Sequence, residues 1–415
     1  MPENTIEFYV SCDAGVIANS VPTKRLIEIV LRAPQAAART SRPAFNLALV
    51  LDVSGSMAGK KLAYTKEAAA YLLDQLRDGD QVALVAYDTN VQVLAEMQSI
   101  TRERHAALRQ KIDALRAGST TNLSGGWLEG CRQVGLVQAK GAVNRALLLS
   151  DGLANVGITD REELAEHARQ LSQRGVSTST FGAGSDYDEH LLEVLANQGD
   201  GNYYYIDHPE SIPEIFRREL EEIAAITLQD VVLIIEIPAH TSVQLPGEWR
   251  NQMEDGKLKV YIGDLASAQQ RRLYLEVLAP PSDDSALELH LTLQARTPEG
   301  EEVQQKTGVK FEYLSADKVG NTQRDAGVLE RFYRVSNAQV ASEALRLERA
   351  GRRDEAERML DRQLIASAPY ISEEERAQYT RMRERVKRGL EQAERKHFSQ
   401  DQYNIKRSKN QDPDA

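Results

Sequence analysis

With 415 residues, 41% hydrophobic and 27% charged, the chain has the composition of two or three folded domains rather than of a disordered or fibrous polymer. A net charge of -11 argues against a general nucleic-acid binder, and no uninterrupted apolar segment approaches the ~20 residues needed to span a bilayer. Cys12 and Cys131 lie far apart and outside any metal-ligand spacing, and Met-Pro-Glu-Asn-Thr-Ile-Glu is not a basic leader before an apolar core, so a cytoplasmic protein without a disulfide framework is expected.

In chain order, Ile6 to Ser11 and Leu26 to Leu31 read as antiparallel strands separated by Gly15, Asn19 and Pro22, and Ala33 to Pro43 as a linker. Phe45 to Met57 follows, an unbroken apolar run ending in an acid, two serines and a glycine. It predicts a strand covered on both faces that delivers oxygens to a loop. Leu62, Ala69, Leu72, Leu73 and Leu76 then recur at helical spacing. Gln81 to Tyr87 reads as a strand, Val91 to Leu94 as a short edge partner, and Thr101 to Arg116 and Leu123 to Ala139 as helices. Arg145 to Ser150 is a strand, followed by a helix at Asp160 to Arg174, a strand at Val176 to Phe181, a helix at Asp188 to Asn197, a strand at Tyr203 to Ile206 and a helix at Ile212 to Ala225. This alternation implies a doubly wound, mostly parallel α/β sheet.

After Ala225 the texture changes. Val231 to Ile237, Leu258 to Ile262, Arg272 to Leu278, Leu287 to Ala295 and Val309 to Tyr313 are strand-like and broken by Pro and Gly, which predicts an antiparallel β-sandwich. Two strands alone are marginal, so the amino-terminal pair is expected to join that sandwich, making the α/β domain an insertion within it. From Ala316 the pattern is helical and densely charged, with about three amphipathic helices over Asp325–Ala350, Arg353–Ala366 and Ser372–Arg395. The expected organisation is 1–42 strands of the sandwich, 43–225 the α/β domain, 226–315 the sandwich, 316–398 a helical region and 399–415 a disordered tail.

Ligand sites of open α/β sheets gather at the carboxyl ends of the strands, where Asp52, Ser54 and Ser56 stand. One carboxylate with two hydroxyls is a hard oxygen set that favours magnesium or manganese over zinc. The same residues equally suit capping of the following helix and of turn amides. Two later stretches offer more oxygens: Ala-Gly-Ser-Thr-Thr-Asn-Leu-Ser-Gly-Gly-Trp at 117–127, and the apolar run Ala-Leu-Leu-Leu-Ser-Asp-Gly at 146–152.

Asp-x-Ser-x-Ser, then a Thr in a Gly-rich loop, then an apolar strand ending in Asp-Gly resembles the metal-ion-dependent adhesion site of von Willebrand factor A domains, in a bacterial stand-alone form. The resemblance spans roughly residues 43–225. It implies that Asp52, Ser54, Ser56, Thr121 and Asp151 hold Mg2+ or Mn2+. Thr121 is preferred to Thr120 because Gly126 and Trp127 follow as the family's Gly and Leu-like residue do, with Trp a departure from the usual Leu. It also implies a non-enzymatic adaptor whose ion receives an Asp or Glu of a protein partner, such as a MoxR-type AAA+ ATPase or a kinase or phosphatase. A structural scaffold whose ion only stabilises the loops is the alternative, with metal-dependent hydrolysis behind it. Gly55 to Lys61 is not a nucleotide-binding loop: its glycine spacing is one residue short and no Ser or Thr follows the lysine. No histidine stands in a His-Glu-x-x-His helix.

Overall fold

A computed structural model describes residues 6–35, 42–139, 141–152, 154–184 and 187–407. The chain divides into two compact units, one of Ala38–Gln229 with Thr297–Glu301, the other of Met1–Ala37, Asp230–Arg296 and Glu302–Ala415. The second unit opens the chain with β1 (Glu7–Cys12), β2 (Val16–Ala18) and β3 (Thr23–Arg32). The short β2 occupies what reads in the sequence as a turn-rich gap. Much of the expected linker at 33–43 lies outside the described residues.

The α/β unit runs β4 (Phe45–Asp52), α1 (Lys60–Gln75), β5 (Gln81–Tyr87), β6 (Val91–Ser99), α2 (Arg102–Ala114), α3 (Leu123–Gly135), β7 (Val143–Ser150), α4 (Arg161–Gln173), β8 (Ser177–Ala183), α5 (Glu189–Gln198), β9 (Tyr203–Ile206) and α6 (Ile212–Ala224). Its six strands lie in the order β6-β5-β4-β7-β8-β9, all parallel except the edge strand β6. β6 is nine residues long rather than the four expected, since its irregular ladder to β5 carries polar residues that burial alone does not mark.

All eight residues of β4 are buried, as its central place with β5 on one side and β7 on the other demands. Leu47, Leu49, Val50 and Leu51 are essentially inaccessible, each burial contributing roughly 1.5–3 kcal/mol. The start of β4 is fixed by the buried Asp80, which accepts from the Phe45 amide (2.8 Å) and pairs with Arg42 (2.5 Å). α3 can press onto the sheet because Gly130 has no side chain: a Cβ there would stand 2.2 Å from Val50 Cγ2. The chain leaves β4 toward β5 and β6, then crosses back to β7 on the other side. The carboxyl ends of β4 and β7 therefore flank the point where the winding reverses, the usual place for a ligand crevice.

β10 (Ile226–Glu236) begins in the α/β unit and passes at Asp230 into the other, which continues with β11 (Ser242–Gln244), β12 (Arg250–Glu254), β13 (Lys257–Ala266), β14 (Gln270–Ala279), β15 (Ala286–Arg296), β16 (Glu302–Leu314) and the helices α7 (Ala316–Gly320), α8 (Ala326–Arg349), α9 (Arg353–Ser367), α10 (Glu373–Arg388) and α11 (Gln392–Lys406). Its strands form two sheets, β1-β3-β14-β11 and β12-β13-β10-β15-β16-β2. β3 pairs with β14 over its whole length, and β2 runs parallel to the end of β16. α8 is tied down by a two-pronged contact of Arg331 with Glu28 on β3 (both 2.7 Å), to which Tyr274 Oη also donates (3.0 Å).

The helical region departs from expectation. Four long helices follow α7 where three were read, because the chain breaks at Gly389, whose φ of 91° a helix cannot continue through. The region also does not end at 398: α11 reaches Lys406, with Tyr403 fully buried and Phe398 packed on the helical core. Of the tail expected to be disordered, 399–407 is thus helix and its terminal turn, and 408–415 lies outside the described residues.

Candidate metal-binding site

Three loops meet at the carboxyl ends of β4 and β7, and backbone hydrogen bonds knit them together. Gly55 N donates to Ser119 O (2.8 Å) and Gly118 N to Val53 O (2.6 Å), joining the first loop to the second. Asn155 N and Val156 N both donate to Thr121 O (3.1 and 3.3 Å), joining the third to the second. Each such bond is worth only about 0.5–1.5 kcal/mol net, but together they hold the loops in one arrangement. Asn122 caps α3 by accepting from Gly125 N (3.0 Å), which fixes where Thr121 leaves the loop.

These side chains and the Ser54 amide form a continuous polar chain. Asp52 Oδ1 accepts from Ser54 N (2.8 Å) and Oδ2 from Ser150 Oγ (2.9 Å). The hydroxyls of Ser54 and Ser56 lie 3.1 Å apart, and Ser56 Oγ donates to Asp151 Oδ1 (2.7 Å). Thr121 belongs to the same cluster: a Cβ on Gly152 would stand 3.1 Å from Thr121 Oγ1 and 3.8 Å from Ser56 Oγ. Thr120 points elsewhere, its hydroxyl 2.7 Å from that of Thr89 at the surface. All five residues singled out in the sequence are therefore brought to one place. Trp127, at the position where the sequence pattern prefers Leu, is fully buried and donates from Nε1 to Thr178 Oγ1 (3.1 Å), so α3 keeps its seat.

Burial sets the electrostatics. Asp52, Ser54, Thr121 and Asp151 are all buried, while Ser56 faces solvent. Desolvation pushes the Asp52 carboxyl up to about 6, aided by the charge of Asp151 and opposed by hydrogen bonds from Ser54 and Ser150. Beneath it the buried Tyr87 phenol is driven far above its ordinary range, first by desolvation and then by the Asp52 charge, and Oη donates to Leu149 O (3.0 Å).

Sequence reasoning passed over Ser150, which steadies Asp52, and Lys61, whose Nζ lies 2.5 Å from Asp151 Oδ2. Ser150 was findable as the hydroxyl preceding the strand-end acid. Lys61 carried no signal, since it shares the first turn of α1 with Lys60.

The donor set suits a small, hard cation. It comprises two carboxylates and three hydroxyls without nitrogen or sulfur, and Lys61 offsets only one of the two buried negative charges. Among the described residues no three His, Cys, Asp or Glu side chains cluster as metal ligands, here or elsewhere, so the hydroxyls are needed to complete this donor set, and no helix is long and apolar enough to cross a membrane.

Residues 46–218 match the von Willebrand factor type A domain family. YfbK of Escherichia coli is 33% identical over 196 residues, 47% of this chain and 34% of that protein. The protein sll0103 of Synechocystis sp. is 28% identical over 285 residues, 65% of this chain and 66% of that one. The chain thus spans less than two thirds of the length of either relative. A von Willebrand factor type A protein of Catenulispora acidiphila superposes with a TM-score of 0.76 over 97% of both chains at 18% identity, a likeness of fold.

Proposed function

We propose that the von Willebrand factor type A domain carried by this chain is a divalent-cation-dependent protein-binding module, with Asp52, Ser54, Ser56, Thr121 and Asp151 holding Mg2+ or Mn2+. The observation that carries this reading is the run of oxygens from Ser54 through Ser56 to Asp151, tied to the Asp52 carboxylate through the Ser54 amide, buried on one side and open at Ser56 on the other. Domains of this type are protein-interaction modules. When bound, the ion supplies concentrated positive charge and a coordination position for an outside ligand. The protein's part is to hold the oxygens in place beforehand through the three interlocked loops, so that little ordering is left to binding. Three neutral hydroxyls among five donors keep the loaded site from surplus negative charge, which leaves it receptive to an Asp or Glu of a partner.

In this reading the two sheets of the second unit form a β-sandwich into whose sequence the α/β domain is inserted, and the helices serve a larger cytoplasmic assembly. A MoxR-type AAA+ ATPase, or a kinase or phosphatase, is the partner class the family resemblance suggests. The role is binding rather than catalysis. The competing scaffold reading gives the ion a purely stabilising role.

A pull-down from native lysate in Mg2+, repeated with chelator and with Asp52→Ala and Thr121→Ala, decides between them. The module reading expects a protein retained only with metal and intact Asp52, and a Thr121→Ala chain that folds but captures nothing. Equal retention in every arm would move the interaction to the other unit and leave the site a structural role.

A further inference from the structure

The site contains a cation of its own. Lys61 Nζ lies 2.5 Å from Asp151 Oδ2, with the Asp151 side chain at 0% and that of Lys61 at 21% exposure. Both Asp151 oxygens are therefore engaged, Oδ1 by Ser56 and Oδ2 by the ammonium. The placement of Lys61 is built in. Its end lies across Gly184, just beyond β8, where a Cβ would stand 3.2 Å from Nζ and 3.3 Å from Cε. Gly184 is itself pinned by donating its amide to Ile206 O (2.7 Å). The neighbouring Lys60 behaves differently: its side chain is 77% exposed and meets Glu210 at the surface, 3.2 Å away.

We infer that Lys61 sets the charge balance of the site, loosening its hold on the divalent cation while strengthening the hold of the cation-loaded site on a carboxylate ligand. The inference rests on the metal-binding reading above and deepens it. Asp52, Asp151 and Lys61 leave one net negative charge, which a divalent cation turns into one net positive charge. Without Lys61 the same loaded site is neutral. An ammonium this close to a shielded carboxylate acts at low effective dielectric, so its removal changes both affinities, in opposite directions. Lys61 is thus a specificity-determining residue: it demands an anion of whatever completes the site, and it keeps the buried acids partly balanced when no ion is bound.

The test uses the full chain and two simple probes. Calorimetric titration with MnCl2 gives the cation affinity, and acetate titration of the Mn2+-loaded protein, read by water-proton relaxation, gives the carboxylate affinity. Lys61→Met is expected to bind Mn2+ about tenfold more tightly and acetate about threefold more weakly. Lys61→Gln, which keeps a donor but no charge, should move the same way, and Lys61→Arg should stay with the wild type. Lys60→Met should leave both constants within about twofold, as an exposed charge does. The inference is overturned if Lys61→Met and Lys61→Gln change neither constant, if both constants move in the same direction, or if Lys60→Met reproduces the effect. Wild-type protein that takes up no Mn2+ overturns the metal-binding reading itself, and this inference with it.

Discussion

Two of the places where the α/β unit buries acidic side chains are treated in opposite ways. Glu219 of α6 is wholly inaccessible and every bond it needs is met: Oε1 receives Arg145 Nη1 (2.9 Å) and Ser179 Oγ (2.6 Å), Oε2 receives Asn202 Nδ2 (2.7 Å) and Tyr204 Oη (2.8 Å). That charge is closed. At the carboxyl ends of β4 and β7, by contrast, two buried acids share a single lysine and a set of hydroxyls, and burial holds the Asp52 carboxyl near 6. A satisfied buried charge fixes a helix to a sheet, whereas a pair left short of positive charge is poised to take one up.

The largest effect should come from opening the closed network. Arg145→Met leaves Glu219 buried without its counter-charge and should cost about 3–5 kcal/mol in urea denaturation, with or without chelator. A loss below about 1 kcal/mol would mean that the neutral donors alone satisfy Glu219, and the contrast would collapse. The reverse sign is expected at the open site. Asp52→Asn removes a strained charge, so in chelator its stability should equal the wild type or exceed it by up to about 2 kcal/mol, while Mn2+ uptake is lost. Marked destabilisation in chelator would make Asp52 as structural as Glu219.

The smallest effect is one of pH. With Asp52 ionising at about 6 rather than the ordinary 3.8, the metal-free folded chain holds this proton more tightly than the unfolded one. Its contribution to stability therefore rises as pH falls from about 6 toward 4 and is flat above 6. Cation binding needs the ionised form, so Mn2+ affinity should fall about tenfold between pH 7 and pH 5. A pH-independent affinity in calorimetry would remove Asp52 from the binding set.

Sequence legibility follows the same physics. β4 was plain because Leu47–Leu51, buried on both faces, is an apolar run without interruption between Asn46 and Asp52. β12, Arg-Asn-Gln-Met-Glu, was missed because it is a largely exposed edge strand held by its ladder to β13 rather than by an apolar pattern. The five site residues were legible because three separate loops, at Asp52–Ser56, Thr121 and Asp151, together match one family's pattern, whereas Asp52, Ser54 and Ser56 alone suit capping equally well. Lys61 was not, since Lys60 and Lys61 open the same helix and only its phase, about 100° per residue, sends one to Glu210 and the other to Asp151. Asn202 precedes the short strand β9, and its bond to Glu219 depends on a helix that begins ten residues later, which no local pattern announces.

The pairing of β3 with β14 sets a timetable for synthesis. Arg32 and Gln270 are register partners separated by 238 residues, so on a ribosome moving at about 5–20 residues per second β3 waits roughly 12–50 seconds for its neighbour. Meanwhile nearly all of the α/β unit, one continuous stretch, is synthesised before β14 and has time to fold. Once folded it replaces a long floating loop by a body with fixed ends, lowering the entropy lost when β14 arrives. Until then one flank of β3 is an unguarded edge able to pair with another nascent chain. The cell's exposure to aggregation of this protein therefore depends on elongation speed through the α/β unit, and slowing translation there lengthens the hazard.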